Sequence, residues 1–312
     1  MRKIWTKSEE KFIKDNIASM NLKAMAIYFD VPYSKINDKV HKMGLNRKKS
    51  SGEIWSQKED DIIKEHFEYA PKNYITRLLP NRTWSSIWQR GSKTFSLKRL
   101  SQDKIDINYK FFQKWTEFSA YAFGIILSDG HIHKGDNNYL QIEMNADSLD
   151  ILQKLALAME FKGHIYHMKN RNTYKLQIRN TKIIEDLINM GIPSTDKTNC
   201  ATINIDLIPK EHLRHVIRGI IDGDGWSYFT SDDIYNLGLC GTEQVVTTIK
   251  KSFPFNNDSN HVSHYEKNCW RFNFKSSKAF AAADWLYNDS HIFLNKKYNA
   301  YLKAKTIFHS PS

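Results

Sequence analysis

Two segments of the chain are spelled almost alike: Ala122-Phe-Gly-Ile-Ile-Leu-Ser-Asp-Gly130 and Ile217-Arg-Gly-Ile-Ile-Asp-Gly-Asp-Gly225. Each reads as an apolar helix with glycine at its third place, closing on an aspartate followed by glycine, and the two aspartates lie 224 − 129 = 95 residues apart. One fold unit is therefore expected twice. The closing acid is the unusual part. A helix C-terminus carries about half a negative charge, so a carboxylate there is disfavoured unless a cation lies beside it. Two acids in equivalent positions predict a divalent metal held between them.

This pair of motifs resembles the LAGLIDADG homing endonucleases, in the form where one chain carries both copies. The resemblance extends from about Phe111 to Phe308. It implies an α+β fold, a pseudo-twofold duplicated αββαββα arrangement with antiparallel DNA-binding saddle sheets. It also implies Mg²⁺-dependent hydrolysis of both strands of a long DNA site, with Mn²⁺ able to substitute. Asp129 and Asp224 then bind metal, with Ser128 and Gly223 beside them contributing backbone carbonyls. The sixth place of the motif departs from the family in the first copy, where it is Leu127, and the second copy keeps Asp222, expected to fix the turn. Gly124 and Gly219 are implied to pack the two motif helices together. A mid-helix glycine costs about 0.5–1 kcal/mol against alanine, so close helix contact must compensate for it.

Two basic segments extend the resemblance. Met190-Gly-Ile-Pro-Ser-Thr-Asp-Lys197 is similar to the family's segment ending in a lysine near the active site, and Trp285 to Tyr298 is similar to the ending common among its members. Lys197 and Lys296 or Lys297 are thereby implied to polarise the attacking water or to steady the phosphorane.

Alternating runs predict the reading surface. In Asn138–Asn145, Leu140, Ile142 and Met144 alternate with Tyr139, Gln141 and Glu143, which is the period of a half-wet strand. Tyr174–Arg179 puts Lys175, Gln177 and Arg179 on one face, and Trp270–Lys275 does the same for Arg271, Asn273 and Lys275 above Phe272 and Phe274. Such faces suit hydrogen bonding to base edges in the major groove. Between them, Ser148–Met159 reads as an amphipathic helix.

The first third of the chain has its own repeat. Trp5-Thr-Lys-Ser-Glu-Glu returns as Trp55-Ser-Gln-Lys-Glu-Asp, and Thr6 with Glu9, like Ser56 with Glu59, forms the capping-box spacing that opens a helix. Ser34–Lys42 answers Ser85–Lys93 as a second capped helix rich in basic residues. The layout resembles tandem Myb/SANT-like helix-turn-helix modules, and the tryptophans are expected in their cores. That resemblance places Lys35, Asn37, Lys39, Ser86, Gln89 and Arg90 against DNA. Two small all-α three-helix modules, 1–50 and 51–100, are thus expected, then a linker over 101–110 and the two repeats over 111–200 and 201–312.

Charge agrees. The formal net charge is +12; residues 1–108 hold 22 Lys and Arg against 13 Asp and Glu, and the remainder 24 against 21. A polyanion partner follows, here double-stranded DNA. Three dispersed cysteines, Cys200, Cys240 and Cys269, fit neither a disulfide framework nor a zinc site and are expected as reduced core residues. No apolar run is long enough for a membrane span, and there is no signal-peptide core. A monomer in the cytoplasm of a bacterial or phage-infected bacterial cell is expected, with no membrane partner. His131 and His133 are read as strand alternation rather than metal ligands. There is no phosphate-binding glycine loop and no nucleophile elbow, and the splice-junction residues of an intein are missing. The competing readings are a non-cleaving DNA-binding regulator of the same descent and an intron RNA maturase.

Overall fold

A computed structural model describes residues 3, 5–17, 22–45, 54–100, 105–133, 138–193, 202–255, 262–266 and 268–309. The chain divides into two compact units, Met1–Asp60 and Asp61–Ser312. Among the described residues no helix is long and apolar enough to cross a membrane.

In the first unit, α1 (Lys7–Asn16), α2 (Leu22–Tyr28) and α3 (Tyr33–Lys42) enclose Ile13, Met25, Ile36 and Val40. The expected capping box is present: Glu9 N–H donates to Thr6 Oγ1 at 3.3 Å and Thr6 N–H to the Glu9 carboxylate at 2.8 Å. Trp5 packs edge-on against Phe29 at 5.4 Å, as a core residue. The second helix of the repeat differs from expectation. Helix α3 begins after Pro32 with no side-chain cap, because proline fixes the helical entry and presents no hydroxyl to the first turn.

The repeat resumes with α4 (Gln57–His66), α5 (Lys72–Leu78) and α6 (Trp84–Gln89). Thr83, not Ser85, caps α6, accepting from Ser86 N–H at 3.2 Å. His66 Nδ1 bonds the Tyr109 hydroxyl at 2.7 Å, and Thr181 Oγ1 donates to Leu100 O at 3.4 Å. Residues 105–110 are bonded too: Asn108 N–H donates to Met159 O at 2.8 Å, and Ile107 and Tyr109 are buried.

The duplication then appears in full. The first copy contains α7 (Glu117–Asp129), β1 (Gly130–His133), β2 (Tyr139–Asn145), α8 (Leu149–Ala158), β3 (Ile165–Met168), β4 (Thr173–Ile178) and α9 (Thr181–Asn189). The second contains α10 (Lys210–Asp224), β5 (Gly225–Phe229), β6 (Tyr235–Gly241), α11 (Glu243–Ser252), β7 (Ser263–Glu266), β8 (Cys269–Lys275) and α12 (Ser276–Tyr287), followed by α13 (Asn295–His309). Each copy forms a four-stranded antiparallel sheet of the same order, β1-β2-β4-β3 and β5-β6-β8-β7. The α+β, αββαββα fold is thus present twice, following the N-terminal helices in sequence.

The sheets follow the alternation. Leu140, Ile142 and Met144 are buried while Gln141 and Glu143 remain half-exposed; Phe272 and Phe274 are buried while Arg271, Asn273 and Lys275 are exposed. Beneath lie α7 and α10. Every residue of α7 from Ser119 to Leu127 is buried, and so is every residue of α10 from His215 to Asp222. A helix buried on all sides must be surrounded by other elements: α7 is apolar all round over 120–127, whereas α10 also buries His215, Arg218 and Asp222.

Candidate active site and nucleic-acid face

Helices α7 and α10 bring the two motif acids to one place. They cross at Gly124 and Gly219: a Cβ on Gly219 would stand 3.0 Å from the Gly124 Cα and would collide with the Tyr121 carbonyl, and one on Gly124 would collide with the Val216 carbonyl. Backbones therefore touch, and only glycine at both places permits it. The contact persists to the helix ends. A Cβ on Gly223 would stand 2.5 Å from Asp129 Oδ2 and would overlap the Ser128 hydroxyl, so the Asp129 carboxylate lies against the turn that carries Asp224. Asp129 is half-buried and Asp224 exposed. Asp129 opens toward a cavity of about 390 Å³ lined also by Gly223, Lys296 and Lys297.

Lys297 is buried and donates to the carbonyls of Ile221 (2.6 Å), Asp222 (2.8 Å) and Gly225 (2.6 Å). Three carbonyls accept only, so the group must be the ammonium with all three protons engaged. It caps the negative end of α10 beside Asp224. Burial lowers its pKa, while the negative charges of Asp222, Asp129 and Asp224 oppose that shift. Lys296 is exposed at the rim and pairs with Asp147 at 2.8 Å. Lys197 lies outside the described residues.

Asp222 does not fix a turn, which corrects the expectation for the sixth motif place. It is fully buried inside α10 and accepts from Tyr121 Oη (2.7 Å), Tyr287 Oη (2.6 Å) and Leu294 N–H (2.8 Å). Burial raises its pKa, against the pull of Lys297 and these donors. It thus ties α7, α12 and the approach to α13 around the acid-bearing end. Arg218, also fully buried, is a second such centre, donating to Ile292 O, Leu286 O and Glu117 Oε1 at 2.7–2.9 Å. Sequence reasoning missed both roles. The available signal was a charge inside an otherwise apolar helical run.

On the first sheet, Gln141 and Gln177 are cross-strand partners, as are Glu143 and Lys175. Arg179 lies one residue past β4, over the Tyr139 ring at 5.9 Å. Glu143 accepts from Thr173 Oγ1 at 2.6 Å, which leaves an acid within the polar face. On the second sheet, Gly238 pairs with Asn273 and Asn236 with Lys275, and Arg271 sits over Tyr265 at 4.3 Å. Cys240 and Cys269 are half-buried rather than core: strand alternation puts Cys240 beside the helix end, where its thiol donates to Asp224 O at 3.6 Å, and burial pushes its pKa up to about 11. Cys200 lies outside the described residues.

Of the helix-turn-helix candidates, Lys35 and Gln89 are exposed, Asn37 is half-buried, and Lys39 pairs with Glu10. Ser86 Oγ donates to Thr83 O at 2.8 Å, and Arg90 stands over Phe95 at 5.1 Å.

Residues 118–196 match the family described as the WhiA LAGLIDADG-like domain. No curated protein matches the chain. Among solved structures, the I-LtrWI LAGLIDADG homing endonuclease bound to target DNA is 14% identical, with 64% of this chain and 90% of that one covered and a TM-score of 0.42. I-SmaMI bound to uncleaved DNA in the presence of calcium ions is 10% identical over 62% and 92% of the two chains, with a TM-score of 0.42. I-DmoI in complex with DNA and Mn is 17% identical over 56% and 98%, with a TM-score of 0.40. The matched stretch, 118–196, contains the first motif.

Proposed function

We propose that this protein is a site-specific DNA endonuclease of the LAGLIDADG type, hydrolysing phosphodiester bonds in both strands of a long duplex site. The observation that supports it most is the seating of Asp129 against the turn carrying Asp224, two acids at the ends of two touching helices. The residues present suit a hard cation. Two carboxylates and the neighbouring Ser128 and Gly223 carbonyls would offer only oxygen. That leaves coordination sites for phosphate and water, the pattern Mg²⁺ favours and Mn²⁺ accepts. When bound, the ion lowers the pKa of attacking water and stabilises the leaving oxygen.

The chain's own groups do the rest. Lys297 and Asp222 hold the acid-bearing end in place, and exposed Lys296, together with Lys197, supplies positive charge for the phosphate. Gln141, Lys175, Gln177, Arg179, Arg271, Asn273 and Lys275 contact bases or phosphates. The helical segments 1–50 and 51–100 act as Myb-like modules that lengthen the contacted site through Lys35, Asn37, Lys39, Ser86, Gln89 and Arg90, raising affinity by effective concentration. They are followed by the junction 101–110 and the repeats 111–200 and 201–312. With both acids in one chain, the enzyme acts as a monomer.

A second reading is supported by the match to the WhiA LAGLIDADG-like domain: a DNA-binding regulator that does not cut. A supercoiled plasmid library incubated with Mg²⁺ separates the two. Linear product from the wild type, and none from Asp129→Asn or Asp224→Asn, supports the nuclease. Gel-shifted but intact DNA supports the regulator, and cutting by both variants removes these acids from the chemistry.

A further inference from the structure

Three residues lie in one row across the second sheet: Trp226 on β5 pairs with Gly238 on β6, which pairs with Asn273 on β8. A Cβ on Gly238 would overlap the Trp226 ring, so the indole lies over the glycine and reaches the third strand. There its Nε1–H donates to Asn273 Oδ1 at 2.8 Å. Asn273 Nδ2 donates in turn to Asn236 Oδ1 at 2.9 Å, and Asn236 Nδ2 to the carbonyl of Ile234 at 2.8 Å.

This chain of bonds has one possible direction. An indole N–H can only donate and a backbone carbonyl can only accept, so both ends fix the orientation of both amides between them. Asn236 is buried, at 3% exposure, whereas Asn273 is exposed. These bonds take one of the two N–H groups and one of the two Oδ1 lone pairs of Asn273, so its amide retains the capacity for one more donated and one more accepted bond. It faces a concavity of about 610 Å³ lined also by Tyr228, Arg271 and Lys275.

An adjacent donor and acceptor of fixed order match one base edge. In the major groove, adenine presents N7 as acceptor beside N6–H₂ as donor. Guanine presents two acceptors, which would set O6 against Oδ1. We propose that Asn273 reads a single adenine in the major groove, and that Trp226 and Asn236 are positioning residues that fix its amide. The inference rests on the DNA-binding reading above and adds a residue and a base to it.

The test is selection of a randomised duplex DNA library by the full chain in EDTA, so that binding is read without hydrolysis. The wild type is expected to enrich adenine at one position, and Asn273→Ala to lose that preference about 5- to 150-fold there and nowhere else. Trp226→Phe keeps a ring over Gly238 without the N–H, and it is expected to relax the same position only. Asn273 is exposed, so its truncation leaves the fold intact, as a thermal melt checks. An unchanged selected site from Asn273→Ala, or affinity lost equally for all sequences, overturns this inference while leaving DNA recognition standing. A wild type that enriches no sequence overturns both.

Discussion

The crossing of α7 and α10 sets a sharp expectation for Gly219→Ala. The added Cβ would meet the Gly124 Cα at 3.0 Å and would come closer still to the Tyr121 carbonyl. Carbon atoms settle at about 3.5–4.0 Å, so the helices must part by roughly 0.5–1 Å. Overpacking of this kind costs about 1–3 kcal/mol, and the better helix propensity of alanine returns up to about 1 kcal/mol. A net loss of about 1–2 kcal/mol is expected, read as a lower denaturant midpoint at constant slope. Gly124→Ala strains the same gap from the other side, so the double variant should be less unstable than the sum of the two. Cleavage should fall further than stability, because a displacement near 1 Å at a reacting centre can cost about 100-fold. Gly241→Ala serves as the control, its Cβ meeting only Val246 Cγ2 at an ordinary 3.7 Å. Equal or higher stability of Gly219→Ala, with cleavage unchanged, would refute the argument that backbone contact at this crossing positions the acids.

Asp222→Asn should lose about 3–5 kcal/mol, because an amide nitrogen turned toward donors leaves a buried network unsatisfied and the Lys297 charge uncompensated; urea unfolding measures it. Lys297→Met should abolish cleavage together with a loss of about 2–4 kcal/mol, since three carbonyls lose their donor. By contrast, Lys296→Ala should change stability by less than about 0.5 kcal/mol, its ion pair with Asp147 being exposed, so that a fall in cleavage there reports phosphate contact. His215 has its pKa lowered to about 4, by burial first and then by Arg218, whose guanidinium donates to Nδ1 at 2.8 Å. The folded value lies below the unfolded one of 6.5, so this stability is complete above pH 6.5 and lost as the pH falls toward 4. It amounts to at most about 3 kcal/mol, and a His215→Gln variant should flatten that limb of the unfolding profile.

What could be read in advance was local. The helix starts at Thr6 and Ser56 need three residues of sequence, the strands at Leu140–Met144 and Arg271–Lys275 need a period of two, and the duplicated acids need only their own motif. The unreadable part is long-range. Asp222 draws its donors from residues 65 to 101 positions away, and Lys297 reaches back 72 to 76 positions to the end of α10. No spacing rule encodes such pairings, so an acid in mid-motif reads as a turn residue and a buried lysine as a basic group. The β6 strand was hidden for a related reason. Its residues Tyr235–Leu239 are buried without alternation, with Trp226 covering Gly238 from the outer side.

The bond from Tyr121 to Asp222 has no mirror image. Shifting each partner by 95 residues gives Val216 and Leu127, an oily pair with nothing to donate or accept. A symmetric dimer must repeat every contact across its axis, whereas two copies fused in tandem are released from that obligation. Two second copies docked together would bury a pair of like acids opposite valines, and two first copies would leave a pair of tyrosine hydroxyls stranded. Cut apart, the halves of this protein would choose each other over themselves.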